Sequence, residues 1–236
     1  FRQINWDHFY FANSDQLTTI DNANGSGTPY QGNKSKYVVE DRRMDKNQKG
    51  LTINLQHQLN AAARISGGLM ATISKTRHHK RMVDLLGGDF WLDIDKYADQ
   101  ESMTITDVSQ NDLLHPNKIV REGDVYGYDY LANVNNARLW SQMEYKFSKL
   151  EVYAAAELNY TSFWRTGKMQ NGRFPDHSYG DSEKNNFLNG AGKLGVTYAF
   201  NGRNYLVANG AYLHRAPNFR DSYISPRTRD FAVDGL

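Results

Sequence analysis

The sequence predicts an all-β fold. It is an antiparallel up-and-down meander, part of a transmembrane outer-membrane β-barrel with long extracellular loops. Three observations carry this reading. Apolar and polar residues alternate with period two over several stretches, as half-buried strands require. Short turns and long connections alternate strictly along the chain. Aromatic residues gather at both ends of the strands, where a membrane barrel carries its girdles.

Six strands follow from the pattern: 46–59, 64–75, 136–147, 150–164, 187–200 and 203–214. In the first, Leu51, Ile53, Leu55 and Leu59 alternate with Thr52, Asn54, Gln56 and Gln58. In the second, Ile65, Leu69, Ala71 and Ile73 alternate with Ser66, Gly68, Thr72 and Ser74. A five-residue turn, Asn60 to Arg64, would set Leu59 opposite Ile65 and place both apolar sets on one face.

The third and fourth strands give the sharpest register. Leu139, Met143, Tyr145 and Phe147 take one face, and Arg138, Trp140, Gln142, Glu144 and Lys146 the other. Leu150, Val152, Ala154, Ala156, Leu158 and Tyr160 alternate with Glu151, Tyr153, Glu157 and Asn159. A two-residue turn at Ser148-Lys149 pairs Phe147 with Leu150, Tyr145 with Val152 and Met143 with Ala154, and sets Lys146 opposite Glu151. A slip of one residue would put charges on the apolar face. The last two strands are joined by Asn201-Gly202, a strong hairpin signal. Leu194, Val196, Tyr198 and Phe200 alternate cleanly, whereas in the return strand Leu206 points the wrong way unless the turn holds an extra residue.

Within hairpins the turns are short. Between hairpins the connections are long, 75–136 and 165–186, with 1–45 before and 215–236 after. Loops of that length are unusual in a compact soluble domain but belong to transmembrane barrels, whose periplasmic turns are short. Tyr145, Phe147, Tyr198 and Phe200 lie at the short-turn end, and Tyr160, Phe163 and Trp164 at the other. A soluble β-sandwich with one wet face explains the alternation equally well, and it explains the rhythm and the aromatic bands less well.

Composition sets the outer limits. With no cysteine, disulfide frameworks, thiolate zinc sites and cysteine nucleophiles are excluded. A net charge of +2 argues against a nucleic-acid binder. No apolar run approaches the ~20 residues of a membrane helix, and the mean hydropathy of −0.71 looks soluble. A barrel strand, however, needs only ~9–11 residues with every second one apolar. The chain opens at Phe1 in polar, strand-like sequence without an initiator Met or an apolar leader, and we read it as an internal piece of a longer protein.

Several motifs resemble chemistry without its context. Gly190-Ala-Gly192-Lys-Leu-Gly195 fits a dinucleotide fingerprint, but a strand follows where a helix is required. Its glycines read as thin positions in a sheet. Asp89, Asp93, Asp95 and Asp99 form an acidic run able in principle to hold Ca²⁺, and the EF-hand spacing is missing. A solvated loop, or one paired with Arg77, Lys80 and Arg81, is the simpler expectation. Thr76-Arg-His-His-Lys-Arg81 is a basic cluster that either meets lipopolysaccharide phosphates or opens a solvated loop. His78 and His79, as strand neighbours, point apart. Glu144, Glu151, Glu157, Lys146 and Lys193 read as salt-bridging charges on the polar face rather than a glycosidase pair. No catalytic site, metal site or cofactor is expected. Aromatic and acidic loop residues, Trp91, Asp93, Asp95, Tyr126, Tyr128 and Tyr130, are the candidate ligand-binding set, since aromatics over polar groups suit sugars, peptides or planar chelates. A loop packed on itself would use the same residues.

Three loop segments carry a family resemblance: Asp84-Leu-Leu-Gly-Gly-Asp-Phe-Trp-Leu-Asp-Ile-Asp95, Gln110-Asn-Asp-Leu-Leu-His-Pro-Asn117 and Glu122-Gly-Asp-Val-Tyr-Gly-Tyr-Asp-Tyr130. With Phe163-Trp-Arg-Thr-Gly-Lys-Met-Gln-Asn-Gly172, Arg215-Ala-Pro217 and Ser225-Pro-Arg-Thr228, their order and spacing from about Tyr37 onward resemble TonB-dependent outer-membrane receptors of the Bacteroides type. The resemblance implies a barrel of about 22 strands, a plug domain inside it, and uptake driven by TonB and the proton-motive force. On that expectation residues 1–236 are a fragment of the barrel domain, without the plug. The whole would import a scarce ligand, a metal chelate, an oligosaccharide or similar, by energised active transport. Its partners would be outer-membrane lipid, the plug and TonB system of the parent protein, and the ligand, with no nucleic acid. The alternative from another class is a soluble all-β carbohydrate-binding module.

Overall fold

The computed structural model describes residues 3–98 and 107–234. In chain order it has a helix α1 (Trp6–Ser14), then β1 (Leu17–Ile20), β2 (Tyr30–Asn33), β3 (Val39–Gln58), β4 (Ala63–Asp84), β5 (Trp91–Leu92), β6 (Ile119–Val120), β7 (Val125–Lys146), β8 (Leu150–Gly167), β9 (Gly180–Asp181), β10 (Asn185–Asn201) and β11 (Asn204–Leu213). The six long strands form one antiparallel sheet in the order β3-β4-β7-β8-β10-β11, with β9 added to the end of β8. Each long strand pairs with its neighbour in sequence, so the chain is all-β and its main sheet is a meander. Among the described residues no strand pairs with the outer edge of β3 or of β11.

The central hairpin has the expected register. Met143 stands opposite Ala154, Tyr145 opposite Val152 and Lys146 opposite Glu151, with the Phe147 N–H donating to the Leu150 carbonyl at 2.7 Å. The ammonium of Lys146 lies 2.5 Å from the Glu151 carboxylate. The first hairpin is tighter than expected. His57, not Leu59, faces Ile65, and the Leu59 N–H donates to the Ala63 carbonyl. Asn60 explains this, because its Oδ1 accepts from the Ala62 and Ala63 N–H groups and closes a shorter turn. The shift is two residues, so the faces are preserved.

At the third hairpin the extra residue is real. Asn201 pairs with Asn204 but Ala199 pairs with Tyr205, leaving Phe200 in a bulge. Leu206 therefore sits opposite Tyr198 on the apolar face, and Tyr205, Val207 and Asn209 turn to the polar face. There the ring of Tyr153 lies over Gly195 and its hydroxyl donates to Asn209 at 3.2 Å. A Cβ at Gly195 would meet that ring at 2.0 Å, so this glycine provides room for the contact. The glycine-rich motif is thus part of strand β10, as its following strand required.

Five strands extend further at the loop end than the alternation predicts, β10 by only two residues, from 187 to Asn185. β3 begins at Val39 rather than 46, β4 ends at Asp84 rather than 75, β7 begins at Val125 rather than 136, and β8 reaches Gly167 rather than 164. The extensions of β3 and β4 have no apolar face, whereas that of β7 carries Tyr126, Tyr128, Tyr130, Ala132 and Val134 at alternate positions. The extensions are joined by backbone ladders and ion pairs, above all the two-pronged contact of Arg77 with Asp129 at 2.9 and 2.6 Å. β4 and β7 are 22 residues long, on the order of 70 Å at ~3.3 Å per residue.

The long connections all lie at the end opposite the turns, and they pack on one another. Leu113 N–H donates to the Gln170 carbonyl, Gly172 N–H to Gln110 and Asp230 N–H to His177. The buried apolar core sits here, among the loops and the loop-side ends of β4 and β7. One cluster is Ile20, Ala23, Phe90, Leu92 and Ile119, and a second is Met82, Leu85, Val120 and Tyr126. Phe163, expected in the outer aromatic girdle, faces inward and is wholly buried, because odd positions of β8 take the polar face.

Helix α1 was not foreseen from the sequence. Its Asn5 accepts from the His8 N–H as N-cap, and Asn13 ties the helix to the loops. The buried Asn13 amide donates to the carbonyls of Tyr37, Leu85 and Leu86, while its oxygen accepts from the Lys36 and Tyr37 N–H groups. Asn13→Ala orphans these groups in a buried place, each worth about 1–3 kcal/mol. We expect the variant to release the first 20 residues to limited proteolysis while the long sheet stays protected. Asn13→Asp, whose carboxylate would face three carbonyls, should do at least as much damage.

Candidate functional site

The polar face of β3, β4 and β7 and the C-terminal segment 218–227 enclose a cavity of about 1070 Å³. The segment is held in place by aromatic packing and by one arginine. Phe219 and Tyr223 pack against Phe163, with ring centroids 6.0 and 6.3 Å away. The Tyr223 and Ser182 hydroxyls are 3.0 Å apart. Arg165 donates through Nε to the Pro226 carbonyl at 2.7 Å and through Nη1 to the Ser178 carbonyl at 2.8 Å.

Of the candidate residues, Tyr128 and Tyr130 line this cavity. Tyr130 stacks on His78, its partner across the β4–β7 ladder, at 4.8 Å and 5°, and the Arg165 guanidinium lies 5.3 Å from its ring. Arg227 lies 5.1 Å from the ring of Tyr128.

The other four candidates belong to the loop scaffold. Tyr126 is buried in the second apolar cluster and donates to Glu40 at 2.8 Å. Burial works to raise the Glu40 carboxyl, but hydrogen bonds from Arg42 and Tyr126, and then Lys80, outweigh it and hold it at about 2. The Tyr126 phenol is pushed up, by burial first and then by Glu40. Trp91 packs against the same cluster, with the Lys96 ammonium 4.8 Å from its ring. Asp95 accepts from the Tyr97 N–H. Asp89 accepts from the Asn33 N–H. Among the described residues no three potential ligands gather as a metal group, and Asp99 lies outside the described residues.

Asp93 acts on the cavity from behind. Opposite His79 and Lys80, strand β7 bulges by two residues, Gly127 and Tyr128, with Gly127 at φ +74°, a conformation that suits glycine. The buried Asp93 carboxylate accepts from the Gly127 N–H at 3.0 Å and from the Asn111 amide at 2.7 Å. Burial pushes this carboxyl up. The bulge turns Tyr128 onto the cavity wall, a common use of such irregularities.

The basic cluster 76–81 is divided by the strand's own alternation. Thr76 and His78 face the cavity, Arg77 pairs with Asp129, Lys80 with Glu40 at 3.0 Å, and Arg81 donates to the Gly123 carbonyl. Lower on the polar face Arg64 pairs with Glu144, and Arg138 lies 3.3 Å from Glu157. Sequence reasoning missed Lys46, Arg220 and Arg227 as cavity residues. Lys46 and His78 sit at even positions of paired strands, a signal available once the register is known; the fold of 218–227 has no period to betray it.

Two outcomes follow from these contacts. Asp93→Ala leaves the Gly127 and Asn111 donors unpaired and should cost about 1–3 kcal/mol, whereas Asp93→Asn keeps an acceptor oxygen, removes a buried charge and should match or exceed the parent in chemical denaturation at neutral pH. Glu40 has a depressed folded value, so the stability it adds is present above its ordinary 4.5 and lost as pH falls towards about 2. Glu40→Gln should therefore abolish that part of the acid-dependent opening of the loop end, followed by proteolysis across this range.

Compared with protein-family models, curated proteins and solved structures, the chain matches none of them.

Proposed function

We propose that this chain is a stretch of barrel wall, with its outer loops, from an outer-membrane TonB-dependent receptor that imports a scarce ligand. The observation that carries the reading is the bare apolar face of the sheet. Leu139, Met143, Leu158 and Leu194 are 57%, 46%, 51% and 65% exposed, although they stand side by side in paired strands. Ile65, Met143, Ala154 and Leu194 form one continuous row. So extended an apolar surface is not left to water in a monomeric soluble protein. The apolar band runs from the row of Tyr145 and Val152 to that of Ala137 and Tyr160. That is nine residues in each strand, matching the ~9–11 of a tilted transmembrane strand. Above it the same face turns to Asn135, Ser162 and Asn186.

The opposite face carries ion pairs and amides through the same band, as a water-filled lumen requires. The free edges of β3 and β11 are the places where further strands of the parent protein continue the wall, since an open edge in lipid leaves backbone groups unpaired. No helix among the described residues is long and apolar enough to cross a membrane. The carbohydrate-binding module is the weaker reading, because such a sandwich needs a second sheet over the apolar face. The remaining sheets, β1 with β2 and β5 with β6, have two strands each and belong to the loops.

The test contrasts two neighbours in the complete parent protein in bilayers. Met143→Arg places a charge near mid-membrane and should cost roughly 2–4 kcal/mol of barrel stability. Gln142→Arg points to the lumen and should cost less than about 1 kcal/mol. Equal losses would remove the wall reading.

A further inference from the structure

The wall reading leaves the ligand unnamed, and the cavity under segment 218–227 narrows it. On the polar face lower down, Arg64 pairs with Glu144, Arg138 with Glu157 and Lys146 with Glu151, while Lys193, expected to be salt-bridged, has no carboxylate within ion-pair distance among the described residues. The cavity gathers several such unpaired cations in one place. Lys46, Arg220 and Arg227 line it together with His78, and no aspartate or glutamate does. Among the described residues none of Lys46, Arg220 and Arg227 meets a carboxylate within ion-pair distance. The neighbouring Asp221 is engaged with the Asn218 amide instead.

Behind this wall stands a further positive charge. Arg165 is 2% exposed, and both its hydrogen bonds go to carbonyls rather than to an acid. A buried charge without a hydrogen-bonded counter-charge is costly; burial pushes this guanidinium below its usual range, and the field of Asp230 offsets that only in part. The side chain lies against the ring of Tyr130, which also stacks on the cavity residue His78. Burial, and then Arg227 and Arg220, also push the His78 imidazole down, which marks the space as positive. Thr72, Ser74, Thr76 and Ser225 add hydroxyl donors to the lining. Such a site supplies charge-assisted donors from two sides, two guanidinium forks from the segment and an ammonium with hydroxyls from the sheet.

We propose that this cavity holds a small polyanion, a molecule with at least two carboxylate or phosphate groups, gripped between Arg220 and Arg227 on one side and Lys46 on the other. Its volume is that of a drug-sized ligand or somewhat larger. The proposal rests on the wall reading, which makes this face the lumen below the outer loops.

The test uses the complete parent receptor, purified in detergent and titrated calorimetrically with tricarballylate, with pyrophosphate and with the neutral maltotriose. We expect at least one polyanion to bind, with affinity falling as salt is raised, and maltotriose not to bind. Binding of tricarballylate alone assigns carboxylate ligands, and of pyrophosphate alone phosphate ligands. Arg220→Gln combined with Arg227→Gln should weaken binding at least tenfold. Thermal unfolding of that variant should change little, since neither side chain has an ion-pair partner to lose and only the contact of Arg227 with the Tyr128 ring goes with it. Failure of both polyanions, or binding that the double variant leaves intact, overturns the proposal. Failure of the Met143 and Gln142 contrast in the same protein would overturn the wall reading separately, because that measurement does not involve the cavity.

Discussion

The pairing of Met143 with Ala154 fixes the rest of the sheet. Strands β7 and β8 sit at its centre, and their register passes outward through Ile65 on β4 and Leu194 on β10. With period two, every position on both sides then has its face assigned. A slip of one residue would carry Glu144 and Glu157 to the apolar face and Met143 and Leu158 to the polar one. Two irregularities in the sheet respect this constraint in different ways. The turn at Asn60 shortens by an even step and keeps the faces. The bulge at Phe200 is an odd step, and it brings Leu206 into line with Tyr198.

A sheet with one apolar and one polar face has no core of its own. Stability within water comes from the loop end, where Phe90, Leu92, Met82, Val120 and Phe163 are buried. On the proposed reading the two halves of the molecule answer to different solvents. The loop end folds as soluble proteins do, by burying apolar side chains and capping backbone groups with Asn13, Asp93 and Ser35. In the proposed wall, lipid takes the place that a second sheet would hold in a sandwich, which is why the average hydropathy is low although the protein is read as a membrane protein. Apolar residues are needed only on alternate positions of a band nine residues tall.

This division explains what could be read from the sequence. The central hairpin was legible to the residue, because apolar and charged residues there compete for two faces and only one register satisfies both. The strand extensions 39–45 and 76–84 were not, because above the band both of their faces are polar and alternation carries no signal; in 125–135 the alternation of Tyr126, Tyr128, Tyr130, Ala132 and Val134 was there to be read. What holds them is pairing between distant residues, such as Arg77 with Asp129 across 52 positions of chain. Helix α1 escaped for a related reason: in its nine residues, Trp-Asp-His-Phe-Tyr-Phe-Ala-Asn-Ser, the stripe of Trp6, Phe9 and Tyr10 spans barely one turn and is blurred by Phe11. Half of the cavity was legible in Tyr128 and Tyr130 as loop aromatics. The other half, Arg220 and Arg227, depends on where an irregular segment docks, and that is decided by Phe163 and Arg165 rather than by any pattern in 218–227 itself.

Arg165 joins these strands of argument. Its guanidinium holds the Pro226 carbonyl and so positions the segment that bears Arg227, and the same group puts a buried positive charge, offset in part by Asp230, behind Tyr130. A carboxylate in direct contact would hold the arginine more cheaply but would cancel the field over the cavity. Carbonyl partners take its Nε and one Nη1 donor without bringing a full charge of their own. Lower on the polar face the opposite choice is made, and ion pairs such as Lys146 with Glu151 leave little net charge. Arg165 thus serves both position and potential at the cavity, beside Phe219 and Tyr223 in the first role and Lys46, Arg220 and Arg227 in the second.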